Sequence, residues 1–188
     1  MFRLPTIETE RLILRTYIRE DMEDLFLIVS DPDVRRYFAD RNPTREELLA
    51  RYSARMEFWR TNGYGQLGVF GKDSGKLLGY CGLKPLDGAD DIEIYYGFAR
   101  EGWGKGYATE AAKAVLRFGF EEAGLDRIVA VTHTENTASQ KVIEKIGLEW
   151  KRRDVFYDLP VNYFSLNKAD YPGGADYVLN WREADDEQ

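Results

Sequence analysis

The stretch REGWGKGYAT, residues 100–109, decides how the chain is read. Its glycines fall at alternate positions, Gly102, Gly104 and Gly106, followed by Ala108 and then a helix-patterned segment. Glycine lets backbone approach a ligand closely and adopts positive φ without a steric penalty. A helix amino terminus adds unpaired N–H groups and the positive end of a dipole. A turn of this kind is a site for phosphate or another anion. The residues alone leave an ordinary tight connection as the alternative. Two nucleotide motifs fail on spacing. The stretch lacks the Walker pattern of GxxxxGK followed by Ser or Thr, and a GxGxxG count places its third glycine on Tyr107 or Thr109.

Working outward, residues 109–123 give the clearest helical pattern. Ala111, Ala112, Val115, Leu116, Gly119 and Phe120 share one face, with Lys113, Arg117, Glu121 and Glu122 opposite. Gly124 closes it, and RIVAVTH (127–133) is a β-branched run of buried-strand length. With a strand at 91–99 before the turn, this makes a strand–helix–strand crossover. A further helix begins at Asn136 or Thr137 and ends at Gly147. Asn136 as a direct cap competes with a Thr137–Gln140 capping box. Strands follow at 148–153 and 162–166, with 154–161 as a loop. Toward the amino terminus, 11–15 reads as a strand and 21–31 as a helix capped by Asp21. Residues 44–60 read as a helix opened by a Thr44–Glu47 capping box. Strands at 66–70, 76–83 and 91–99 form an antiparallel meander. The expectation is one α/β domain over residues 1–170, with seven strands and four helices. An extension over 171–188 ends in an acidic tail from Arg182 that frays, and 40–43 and 154–161 are the mobile candidates.

Composition narrows the function classes. The 188 residues carry a formal net charge of −7, which disfavours a broad phosphate grip on nucleic acid. One Cys and one His make an internal disulfide impossible and a zinc site improbable. Neither a signal-peptide run nor a membrane-length apolar stretch is present, so no membrane partner and a cytoplasmic location are expected.

The segment EIYYGFAREGWGKGYATEAAKAVLRFGFEEAGLDRIVAVTHTENTASQKVIEKIGL resembles the GNAT superfamily of acyl-CoA N-acyltransferases. It looks most like the RimJ/RimL branch of ribosomal-protein N-terminal acetyltransferases. The resemblance covers roughly residues 7–170 and is strongest over 93–148. It implies a mixed central sheet splayed between the fourth and fifth of the seven strands, 91–99 and 127–133, with the thioester arm of acetyl-CoA in the gap. It also implies acetyl-CoA as co-substrate, no metal, and an amine acceptor. The acceptor it implies is a primary amine, with a peptide amino terminus, a polyamine and an aminoglycoside all left open. Relatives of this branch are often dimers, which leaves a homodimer open.

By that resemblance the pyrophosphate loop aligns as Trp103, Gly104, Lys105, Gly106, Tyr107 and Ala108, with Thr109 contributing its N–H. Trp103 stands where Arg or Gln is usual, and Lys105 is either a charge contact or a solvated lysine. The backbone of Phe98 and Ala99 is expected beside the acetyl and pantetheine arm. Glu93 is the first choice as base, with a structural ion pair as its alternative. Ser139 is the expected group near the thiolate and Asn136 a coenzyme contact, both open to plain helix capping. The Tyr that many relatives use as general acid is Ile143 here, which keeps a non-catalytic acyl-CoA-binding module in play. His133 and Cys81 read as structural, and Trp59, Tyr64, Tyr95 and Tyr96 as candidates for the acceptor side.

Overall fold

The computed structural model describes residues 3–38, 42–174 and 176–183. One nine-stranded sheet runs through the protein in the order β7-β8-β6-β5-β4-β3-β2-β1-β9. Its strands are β1 (Arg3–Glu8), β2 (Leu12–Arg15), β3 (Gln66–Gly71), β4 (Leu77–Pro85), β5 (Ile92–Phe98), β6 (Arg127–His133), β7 (Glu149–Phe156), β8 (Leu159–Asn167) and β9 (Val178–Glu183). The helices are α1 (Met22–Ser30), α2 (Pro32–Arg35), α3 (Arg45–Asn62), α4 (Tyr107–Glu121) and α5 (Thr137–Lys145). All neighbouring strands are antiparallel except β5 and β6, which are parallel and joined through α4.

Strand alternation sorts side chains onto two cores. On one face, Leu12, Leu14, Leu67, Val69, Cys81, Leu83, Ile94 and Phe98 pack against the apolar stripe of α4, including Ala111, Val115 and Phe118. On the other, Phe70, Leu77 and Tyr80 pack against Met22, Leu25 and Val29 of α1 and Leu48 of α3. Thr44 and Glu47 form the reciprocal capping box expected at the start of α3 (3.2 and 2.9 Å). Asp21 does not cap α1. It pairs instead with Arg15 at 2.7 Å and accepts the Ile18 N–H.

The structure departs from the sequence reading at the sheet edges. Two strands join the seven expected. β1 pairs with β2, and β9 pairs with β1 from Arg3↔Glu183 to Glu8↔Val178. Part of the expected carboxy-terminal extension is thus an edge strand, Arg182 included; the rest of the tail, 184–188, lies outside the described residues. The expected loop at 154–161 is the end of the β7–β8 hairpin. Phe156 pairs with Leu159 across Tyr157 and Asp158, both at positive φ (55° and 58°). That is the geometry of a two-residue type I′ turn. Of the other mobile candidate, 40–43, positions 40 and 41 lie outside the described residues.

Candidate active site

The wedge between β5 and β6 is the feature around which the site is arranged. Each strand has seven residues, yet only Glu93 and Val129 are in register as a pair. The strands therefore separate beyond Glu93, and the chain at the open end passes directly through residues 99–106 into α4.

That connection has the form of an anion cradle. A short 3-10 turn, Arg100–Gly102, leads to Trp103, then Gly104 and Gly106 turn the chain at φ +72° and +82°. Gly106 is the N-cap of α4, and no side chain caps the helix. The first intrahelical bond is donated by Glu110 to the Gly106 carbonyl (3.0 Å), so the amides of Tyr107, Ala108 and Thr109 lie in the unsatisfied first turn. Lys105 is exposed.

A clamp from the β1–β2 turn holds this loop, and nothing in the sequence pattern pointed to it. Arg11 donates to the Lys105 carbonyl (2.9 Å) and through Nε to Glu110 (2.7 Å), with its guanidinium over the Tyr107 ring at 4.8 Å. Thr9 Oγ1 and the Arg11 amide also donate to Glu110 (2.6 and 2.9 Å). Burial pushes the Glu110 carboxyl up, but these donors outweigh it and hold it below the ordinary carboxylate range.

At the wedge itself the structure places the expected residues as follows. The Phe98 carbonyl accepts the Trp103 indole N–H at 2.7 Å, and the Ala99 amide donates to Leu78 in β4. Asn136 caps α5, accepting the Ser139 amide at 3.1 Å; Gln140 instead donates to the Thr134 carbonyl (2.9 Å). Ser139 Oγ lies 3.0 Å from the Tyr96 hydroxyl, which reaches across from β5 to α5. Tyr96 is thereby tied to Ser139 at the start of α5. Its neighbour Tyr95 projects to the opposite face, and burial pushes both phenols up. Ile143 is buried in the core.

Glu93 sits at the closed end of the wedge, 2% exposed. Lys84, its register partner on β4, places Nζ 3.0 Å from Oε1, and the Tyr157 hydroxyl donates a short hydrogen bond to the same oxygen. Burial raises the Glu93 pKa, and Lys84 and Tyr157 only partly reverse it. For Lys84, burial works against the ammonium, but Glu93 and Tyr157 outweigh it and its pKa is raised. Asp91 on the same strand edge accepts from Tyr163 at 2.6 Å.

On the face opposite α4, a cavity of about 250 Å³ opens between α3 and strands β3 to β5, lined by Arg51, Arg55, Phe58, Gln66, Lys84 and Tyr95. Tyr95 donates to Gln66 (3.2 Å), which donates to the buried Tyr17 hydroxyl (2.9 Å). The remaining candidates are structural in placement. Trp59 is buried with its indole on the Gln66 carbonyl (3.0 Å), and Tyr64 packs edge-on to Phe58. His133 stacks on Tyr37 and accepts the Glu135 amide (3.2 Å). Cys81 is fully buried, which pushes its thiol pKa up. Among the described residues no helix is long and apolar enough to cross a membrane.

A mixed sheet with one splayed parallel pair opens here onto an uncapped helix amino terminus, a frame for an extended ligand that carries an anionic group. The chain belongs to the GNAT acetyltransferases: the family model described as "Acetyltransferase (GNAT) domain" matches residues 11–149. It is 36% identical over 161 residues to the uncharacterized protein YkkB of Bacillus subtilis (strain 168), covering 81% of this chain and 90% of YkkB. It is 31% identical over 185 residues to the uncharacterized N-acetyltransferase p20 of Bacillus licheniformis, covering 90% of this chain and 100% of p20. Among solved structures, a GNAT-family acetyltransferase from Bacillus anthracis superposes with a TM-score of 0.75 at 29% identity, over 87% of this chain and 99% of that one. The activity is accordingly acetyl-CoA-dependent N-acetylation.

Proposed function

We propose that the acetyl group passes directly from acetyl-CoA to a primary amine within one ternary complex, and that the acceptor is the amino terminus of a protein, as in the RimJ/RimL branch. The observation that carries the reading is the continuity of the wedge with the uncapped start of α4. A coenzyme whose pyrophosphate rests on the amides of 104–109 directs its pantetheine arm along β5 into the gap. Trp103, anchored on the Phe98 carbonyl, then forms one wall of the arm's path.

The chemistry is drawn from the groups that border the wedge. The amine nitrogen attacks the thioester carbonyl carbon, the tetrahedral oxyanion collapses, and the C–S bond breaks to give the amide and coenzyme A thiolate. The leaving thiolate accepts a hydrogen bond from the Ser139–Tyr96 hydroxyl pair and takes its proton through that pair from solvent, so the pair, which stands in for the tyrosine replaced by Ile143, ends the step protonated. The amine's proton goes to Glu93 by way of Tyr157, its hydrogen-bond partner. A raised pKa suits a carboxylate to that task, since a base works best near the operating pH. No nucleophile–base pair is used for a covalent acetyl-enzyme.

The test is a free-thiol assay with acetyl-CoA against peptides beginning with Ser, Ala or Met, beside polyamines and aminoglycosides. Thiol release with a peptide, and an acetyl group on its α-nitrogen by mass spectrometry, is the expected result. Ser139→Ala should lower kcat while leaving acetyl-CoA affinity in place. Acetyl-CoA bound without turnover of any amine would instead support a non-catalytic acyl-CoA-binding module.

A further inference from the structure

The cavity beside β5 has a lining whose charges are all of one sign. Its lining carries three cationic side chains, Arg51, Arg55 and Lys84, and no carboxylate among the described residues. Lys84 is neutralised by Glu93. Arg51 and Arg55 form no ion pair among the described residues, and Arg55 Nη1 is buried without a hydrogen-bond partner. A buried guanidinium donor left unmatched is unusual, because desolvating it without a partner is unfavourable. The surrounding groups do not relieve it: Gln66 is committed to Tyr95 and Tyr17, and Phe58 is apolar. Arg55 lies close enough to Tyr17 and Tyr95 for its charge to draw both phenols down against burial. The cavity is therefore positive on its α3 side, although the whole chain is acidic at −7.

We infer that the acceptor is a primary amine whose carrier bears an anionic group, a carboxylate or a phosphate, bound by Arg55 and Arg51 at the α3 side of this cavity. This rests on the acetyl-transfer reading above and sharpens its substrate class. Guanidinium groups match carboxylate and phosphate in planar, two-point fashion. The same cavity repels polyamines, whose extra ammonium groups meet two arginines with no ion pair among the described residues. For a peptide acceptor the anion is an acidic side chain next to the amino terminus, and for a small acceptor it is an amino-acid carboxylate or a phosphate ester. The amine end then points toward β5, where Tyr95 on this face and Tyr96 on the other flank the strand that borders the wedge.

The experiment compares matched acceptors that differ only in the anion: aspartate with its diamide, phosphoethanolamine with ethanolamine, and peptides beginning Ser-Asp with peptides beginning Ser-Asn. Spermidine is the cationic arm. Turnover is read by thiol release, and binding by calorimetry on the complex with coenzyme A. The expected result is a preference of roughly tenfold to a hundredfold for the anionic member of at least one pair, the range of a charge-assisted hydrogen bond. In Arg55→Gln that preference should collapse through KM, Arg55→Lys should restore part of it, and acetyl-CoA affinity should be unchanged. The exposed Arg51→Gln should reduce the preference with no effect on folding. Whichever pair responds distinguishes a peptide from a small acceptor. Equal use of both members in every pair, preference for spermidine, or a preference that survives Arg55→Gln overturns the inference while acetyl transfer stands. Failure to bind acetyl-CoA at all would overturn the transfer reading, and this inference with it.

Discussion

Gly106 is the position where one added methyl group tests the anion cradle most sharply. Its backbone lies at φ +82°, ψ 1°, and an added Cβ would come within 3.4 Å of Arg11 Nη2. An L-residue held in the left-handed region costs roughly 1–2 kcal/mol. In Gly106→Ala the loop relieves that strain by turning away from its ligand-free geometry and from the Arg11 clamp. Binding must then restore the geometry, so the dissociation constant for acetyl-CoA should rise roughly 5- to 30-fold. Gly106→Val, β-branched at a positive φ, should weaken binding further. The matched control is Gly124→Ala. It has the same handedness, φ +68°, with nothing within 4 Å of its Cβ, and it follows the opposite end of α4. Both alanine variants should lower the melting midpoint by a similar ~2–8 °C, but only the first should lose affinity in calorimetry. If Gly106→Ala matched Gly124→Ala in both measurements, the turn would not be the pyrophosphate site.

Two further outcomes follow from the charged clusters. Glu93→Gln should lower kcat by about a hundredfold or more, the scale of general-base catalysis. In the unsubstituted protein the acid limb of kcat/KM should lie above the ordinary carboxylate range, because the Glu93 pKa is raised, and a pH–rate profile of Glu93→Gln should lack that limb. Glu110→Gln should destabilise by about 1–3 kcal/mol, the scale of charge-assisted hydrogen bonds left without their partner, read as a lower urea midpoint. The sign follows from a depressed folded pKa. The contribution is complete above the unfolded carboxylate value and is lost as pH falls through the folded one, so the two proteins should converge in stability at low pH.

What the sequence made legible was what is local. The amphipathic stripe of α4, the Thr44–Glu47 box and the turn-bounded meander of β3 to β5 are set by residues a few positions apart. The alternating glycines were readable for the same reason, and the resemblance supplied what the turn holds. The two strands at the β9 end of the sheet were not legible. β9 is mostly exposed and shows no alternation, and β1 carries Pro5, which removes a backbone donor and falls just beyond the last β1–β2 pair. The 157–158 turn was hidden because Tyr157 and Asp158 occupy positive φ without the glycine that marks such turns. The site's pairings were invisible because they are long-range. Glu93 meets Tyr157 across 64 positions and Tyr96 meets Ser139 across 43. Arg11 reaches Glu110 across 99, from a turn whose residues look like ordinary solvated surface. The positive cavity was masked by the net acidity of the chain, which is a property of its whole surface and not of any concave part of it.

The central claim is that the turn at 103–109 and the β5–β6 wedge hold acetyl-CoA together, one at each end. A crystal structure of the complex with coenzyme A tests it most directly. The account predicts pyrophosphate oxygens within hydrogen-bond distance of the amides of 104–109, the pantetheine arm between β5 and β6, and the thiol beside Ser139 and Tyr96. A coenzyme seated elsewhere, with the wedge empty and the first turn of α4 uncontacted, would contradict it.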